Sequence, residues 1–265
     1  MDSATRALFA FTARRMALSV KGLLFGLMAA FPWGVTLLLR LLVAKGIPVP
    51  LGGITLYGMV VFLYVCGFLL PLSTLFFGVG LIADEREGGT LPYLFGRPVP
   101  RARLFLVRYA AMSAVIVAGC WASVLGTYVL GVSEAGAGAL GREAGTLLLD
   151  LGVVGLGALV YGALFAFLGL SLKRPLFAGL LIGFGWENAV AYIPGFLKRL
   201  TVLFHLHTLL PHGGGPTGII QQMLSSTESK TAALLFLIFY GVLFVGLACL
   251  VIRRLEAASD QEADA

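Results

Sequence analysis

Six stretches of this chain are apolar for long enough to cross a bilayer, and that fact leaves it few folds to choose from. A helix needs about 20 predominantly apolar residues to traverse a hydrocarbon core roughly 30 Å thick. Residues 22–43, 54–83, 104–131, 145–170, 176–193 and 232–252 all read this way. Inside hydrocarbon the backbone must satisfy its own hydrogen bonds, so spans of this length become helices. The expected fold class is therefore all-α: a polytopic membrane protein with six transmembrane helices in one transmembrane domain over residues 1–265. Composition agrees, with 12% charged residues against the roughly 25% usual in soluble domains. The net charge of +6 calls for no nucleic acid, because membrane proteins gather Lys and Arg on their cytoplasmic side. Cys66, Cys120 and Cys249 all fall within apolar runs and read as packing residues.

The same cations orient the spans. With the N-terminus inside, 13 of the 19 Lys and Arg residues fall on the inner segments and 6 on the outer ones. The positive-inside rule then places both termini in the cytoplasm. Residues 3–21 precede the first span. As a helix they set Arg6, Arg14 and Lys21 within roughly 80° of one another, with Leu8, Phe11, Met16 and Leu18 opposite. That reads as an interfacial amphipathic helix on the inner leaflet. A signal peptide is the competing reading, but the basic stretch is long and no small-x-small cleavage site precedes Lys45. The second span would be about 45 Å long at 1.5 Å per residue, so it must tilt, kink at Pro71 or project into the cytosol.

Residues 84–103 form the longest ordered polar interruption. Acids come first (Asp84, Glu85, Glu87), followed by Gly88 and Gly89. Thr90 can cap a short helix whose Leu91, Leu94 and Phe95 share one face. Gly96 can end that helix, and Pro98 and Pro100 stiffen the return beside Arg97, Arg101 and Arg103. A face this narrow cannot form a core, so its partner is a second protein or the membrane surface. Taken together, Glu85, Glu87, Gly89, Thr90, Leu91, Leu94, Pro98 and Arg101 resemble the cytoplasmic coupling segment of ABC-2-type transporter permeases. Two departures are present: Pro100 stands where the family usually has Ser, and Gly88 is an extra glycine. Those permeases also open with a connecting helix like residues 3–21. Trp186-Glu187 followed by Ile193-Pro194-Gly195 and Lys198-Arg199-Leu200-Thr201 is similar to the end of the fifth span in some bacterial members.

The resemblance implies a half-transporter in the cell (inner) membrane, pairing with a second copy or a related permease. Two ABC ATPase subunits would carry the ATP and Mg, with residues 84–103, Phe95 included, coupling hydrolysis to export. It implies no catalytic residue, metal or cofactor in this chain, and surrounding membrane lipid. The residues agree that ATP is held elsewhere, since no G-x-x-x-x-G-K-[ST] occurs. A secondary transporter and an intramembrane enzyme using outer-side histidines with Glu187 are the alternatives. The first would favour inverted repeats, which are not evident.

Three further sets of residues are candidates. Arg40, Asp150 and Glu187 are ionisable groups within spans, where charge is costly. All three fall at outer-half depth, and Arg40 is expected to be neutralised by Asp150 or Glu187. Gly22 with Gly26, and Gly179 with Gly183, have the four-residue spacing that lets membrane helices approach closely. The resemblance places spans 1 and 5 near a dimer contact. In the outer segment 194–231, His205, His207 and His212 could bind metal or sense pH, but His-x-His has no same-face spacing on a helix. A re-entrant or interfacial helix over residues 196–210 accounts for them equally well.

Overall fold

The computed structural model describes residues 3–47, 52–87, 101–191, 193, 195–212 and 229–263, and among them there is no β-strand. Five helices are long and apolar enough to cross a membrane, and a shorter apolar helix runs over Pro175–Ala191.

Helix α1 (Ser3–Ala17) stops short of the 3–21 expected, because Ser19 starts a new helix. The Ser19 hydroxyl accepts from the Gly22 N–H at 3.0 Å and donates to the Met16 carbonyl at 2.7 Å, so it closes one helix and caps the next. The elbow is tight. A Cβ on Gly22 would lie 2.2 Å from the Met16 oxygen, a distance no side chain survives. Helix α2 (Val20–Ala44) follows, with Pro32 inside it.

The second span is one continuous helical rod in three parts: α3 (Gly53–Met59), a π-helical stretch (Val60–Leu69) and α4 (Leu70–Glu87). Helix α5 (Arg101–Val132) returns across the membrane. A short turn leads through α6 (Ala137–Arg142) into α7 (Ala144–Ser171). Helix α8 (Pro175–Leu180), a π-helical turn (Leu181–Trp186) and α9 (Glu187–Ala191) make the shorter apolar helix. Helix α10 (Val202–Leu209) and the long α11 (Lys230–Ala263) complete the described chain.

Burial ranks the helices. Within its apolar window the second span is 72% buried and α7 is 67% buried, whereas α2 is 28% and α11 is 17% buried. The second span and α7 therefore form the centre, and α2 and α11 turn exposed Leu, Phe and Val outward as a lipid-facing surface must. Helices α4 and α7 cross closely because glycine allows it: a Cβ on Gly169 would sit 2.9 Å from the Val79 oxygen. Helix α5 offers glycine hollows to α2, with Phe25 against Gly119 and Trp33 against Gly126.

Pro32 has no N–H to give to the Met28 carbonyl one turn earlier. The Tyr64 hydroxyl of the π-helical stretch donates to that carbonyl at 2.7 Å. The lost intrahelical bond is thus replaced by one between helices, which is how membrane helices tolerate proline.

Candidate functional site

Two regions converge on the central rod, one at each end. At one end, the apolar window of the second span closes at Leu81 while α4 continues to Glu87. Those last residues extend the rod by about 9 Å at 1.5 Å per residue. Helix α5 restarts at Arg101. Glu85, Glu87 and Arg101 therefore stand on the helical stubs that frame the polar segment. Gly89, Thr90, Leu91, Leu94, Phe95 and Pro98 lie outside the described residues. The Arg103 side chain donates from Nη2 to Thr5 Oγ1 at 3.0 Å, which ties the base of α5 to α1.

At the other end, the π-helical stretch serves as a docking strip. Wider i→i+5 winding leaves carbonyls turned away from their usual partners. The His207 Nε2 lies 3.0 Å from the Phe62 carbonyl, and its ring stacks on Phe62 with centroids 3.6 Å apart. A carbonyl only accepts, so that nitrogen carries the proton. The Asn188 amide donates to the Gly67 carbonyl at 3.4 Å and to the Gly183 carbonyl at 3.1 Å. Gly67 precedes Pro71 by one α-turn, so Pro71 frees its carbonyl as Pro32 frees Met28. Asn188 thus joins the π-helical part of the second span to that of the shorter apolar helix. Tyr64 and Asn188 were not foreseen from sequence; the signal available was a proline four residues after each acceptor.

Glu187 is 2% exposed and fully committed. Its Oε1 accepts the Val202 N–H at 3.1 Å, and its Oε2 accepts the Leu203 N–H at 2.9 Å and the Tyr161 hydroxyl at 2.9 Å. Two of these donors are free N–H groups at the start of α10, so a carboxylate from α9 caps a helix beyond the intervening loop. Thr201 adds a weaker cap through Oγ1 to the Phe204 N–H at 3.4 Å. Val202 to His207 are all buried. Leu206 of α10 reaches Gly157, at the middle of α7, and Leu70 shares that contact. Helix α10 is therefore re-entrant. Irregular backbone at that depth is tolerated because protein encloses it.

Asp150 forms a third node. Its Oδ2 accepts from the Tyr57 hydroxyl at 2.5 Å and lies 2.8 Å from His212 Nε2. The His212 ring meets Tyr57 edge to face at 5.3 Å and rests against Gly58, where a Cβ would be 3.1 Å away. His212 lies just beyond α10, so this contact fastens the re-entrant chain to α7 and α3. Tyr57 also packs edge to face on Tyr128, whose hydroxyl donates to the Leu140 carbonyl.

These arrangements correct one expectation. Arg40 does not pair with Asp150 or Glu187; its Nη1 donates to Ser133 Oγ at 3.0 Å. Asp150 takes Tyr57 and His212 as partners through Oδ2 alone, with Oδ1 buried and unpaired, and Glu187 takes Tyr161 and the first N–H groups of α10. Of the glycine pairs, Gly179 and Gly183 lie at close contacts between helices of the protomer. A Cβ on Gly179 would lie 2.2 Å from Leu75 Cδ1 and one on Gly183 would lie 3.0 Å from Phe165 Cζ. Gly22 faces the α1 elbow, and Gly26 has nothing within 4 Å.

The three histidines diverge, since His205 Nε2 is bound to the Arg199 carbonyl at 2.8 Å. Among the described residues no group of His, Cys, Asp or Glu is placed to hold a metal ion. Chemically, the network around Glu187, Asp150 and α10 is a set of hydrogen bonds that fixes backbone, and the helical stubs ending at Glu87 and starting at Arg101 frame the polar segment between them. A family model described as ABC-2 family transporter protein matches residues 14–185. No curated protein matches the sequence.

Proposed function

Because this chain belongs to the ABC-2 transporter family, we propose that it is the permease that couples ATP hydrolysis on a separate ABC ATPase to export of a substrate. The family makes it a multi-pass membrane permease component of an ABC transporter. The finer reading is that two permease copies, or this chain and a relative, flank a translocation path above two ATPase subunits. Both termini and the α4–α5 connection face the cytoplasm of the cell (inner) membrane, with Pro175–Ala191 as a sixth span. ATP and Mg bind the ATPases, and this chain does no chemistry on them.

One observation carries the coupling role. Helix α4 runs past its apolar window to Glu87, and α5 resumes at Arg101, so residues 88–100 hang from two helices rooted in the core. Force on that segment reaches α7 through the close Gly169 crossing, because packed helices move as bodies. Above it, the π-helical stretch and Pro71 are the point where the rod can bend. Leu91, Leu94 and Phe95 would enter a groove on the ATPase, with Glu85, Glu87 and Arg101 at the rim, since apolar anchors carry most interface energy.

The test is co-purification of the ATPase with wild type, Leu94→Asp and Glu87→Gln in lipid, with ATP turnover measured in parallel. Leu94→Asp should abolish association while the chain still inserts. Glu87→Gln should retain the ATPase and weaken substrate-stimulated turnover. Full ATPase retention by correctly inserted Leu94→Asp sinks the coupling role of this segment.

A further inference from the structure

We propose that Phe165 and Tyr161 are positioning residues that carry a displacement of α4 to the first turn of the re-entrant α10. Phe165 is fully buried and meets glycine on two neighbouring helices. On one side is α4, where a Cβ on Gly78 would lie 3.0 Å from Phe165 Cβ and 3.2 Å from the Ala166 nitrogen. On the other is the shorter apolar helix, where a Cβ on Gly183 would lie 3.0 Å from Phe165 Cζ. At both contacts Phe165 meets backbone, with no flexible side chain between to absorb a shift. Close-packed interiors of this kind transmit strain.

One turn along α7, Tyr161 stacks on Phe165 with ring centroids 6.1 Å apart and planes 13° apart. Its hydroxyl donates to Glu187 Oε2 at 2.9 Å, and Glu187 lies one turn beyond Gly183. Two rungs therefore join α7 to the shorter apolar helix: Phe165 to Gly183, and Tyr161 to Glu187. The second rung ends on the carboxylate that holds the Val202 and Leu203 N–H groups. Gly78 stands just before Leu81, where the apolar window closes, so motion at that end of α4 enters at the first rung. Helix α4 has two other routes outward, Leu75 at Gly179 and Leu70 beside Leu206 at Gly157. Neither of those ends on the leading N–H groups of α10. As part of a transport cycle the relay rests on the coupling role proposed for residues 88–100. As a link within the chain it does not, and the link is what the experiment probes.

The experiment uses the purified full-length chain in a neutral detergent. Hydrogen exchange is followed by mass spectrometry on the peptide that holds Val202 and Leu203, with α2 as reference. Gly78→Ala sets a methyl against the Phe165–Ala166 backbone and forces α4 and α7 apart. The expected result is exchange at Val202 and Leu203 about fivefold faster, with α2 changed by less than about twofold. Global loosening would speed both alike and overturn the relay. In a Phe165→Leu, Tyr161→Phe background, Gly78→Ala should add less than about twofold. An undiminished effect there sends the signal through Leu75 or Leu70 and overturns the relay, as does an unchanged α10 peptide in Gly78→Ala. Gly155→Ala, whose methyl comes no closer than 3.7 Å to Trp121, should leave both peptides unchanged; an effect equal to that of Gly78→Ala refutes the route. If Gly78→Ala does not fold, Phe165→Leu alone decides. Withdrawing its ring from Gly183 should speed the α10 peptide about threefold over α2, and no change overturns the proposal. ATP turnover plays no part in the readout, so failure of the relay and failure of the coupling role are told apart.

Discussion

Replacing Tyr64 with Phe removes one oxygen and leaves the ring contacts with Phe31 and Phe68, both at 5.8 Å, intact. The oxygen matters because Pro32 cannot serve the Met28 carbonyl, which Tyr64 reaches at 2.7 Å. Hydrogen bonds between membrane helices average about 0.6 kcal/mol and reach about 1.7 kcal/mol. An acceptor in hydrocarbon with its intrahelical donor missing belongs near the upper end, so Tyr64→Phe should cost about 1.5 kcal/mol. In a Pro32→Ala background, residue 32 regains an N–H aimed at Met28, and the same substitution should cost only about 0.5 kcal/mol. The coupling is then about 1 kcal/mol, roughly a fivefold change in the folding equilibrium. The assay is equilibrium unfolding in mixed micelles, followed by tryptophan fluorescence, on the four members of the double-mutant cycle. If Tyr64→Phe costs the same with proline or alanine at position 32, the Tyr64 bond does not compensate for Pro32 and the reasoning fails.

Glu187→Gln should lower stability by about 2 kcal/mol, because one oxygen that accepts an N–H becomes an NH2 at the positive end of α10. Limited proteolysis between residues 192 and 201 should then speed up; unchanged cutting and stability would remove the capping role. Gly169→Val should cost about 1–3 kcal/mol by pushing α7 off the Val79 backbone, and a melting temperature within error of wild type would contradict the close crossing.

What sequence revealed and what it hid divide along physical lines. Length of apolar run is a one-dimensional property, so the all-α membrane fold could be read directly from stretches such as residues 145–170. Rotation about a helix axis is not readable where a helix is apolar all round, as α7 is. Depth alone put Arg40 beside Asp150 and Glu187, but equal depth leaves the facing direction open, and Arg40 faces Ser133. The π-helical stretches were hidden for a similar reason. Val60–Leu69 would compose an ordinary helix equally well, and what distinguishes it is the partners, His207 and Asn188, which lie far away in sequence. The glycine pairs were visible as spacing, yet spacing does not say whether the neighbour is one's own helix or another molecule's. Gly179 and Gly183 answer with Leu75 and Phe165.

The re-entrant α10 also constrains the order in which the bundle is built. Eight residues are too few to be held as a span when they emerge from the ribosome. They can settle only once the second span and α7 have formed the recess for Leu206 and once Glu187 is in position to receive the first N–H groups. Helix α11, made later, packs against both α10 and α7 and so closes the entrance behind it. A chain that stops before residue 230 would therefore leave α10 without its retaining wall, and quality control in the cell would meet an intermediate whose inner helices are complete and whose last seal is missing.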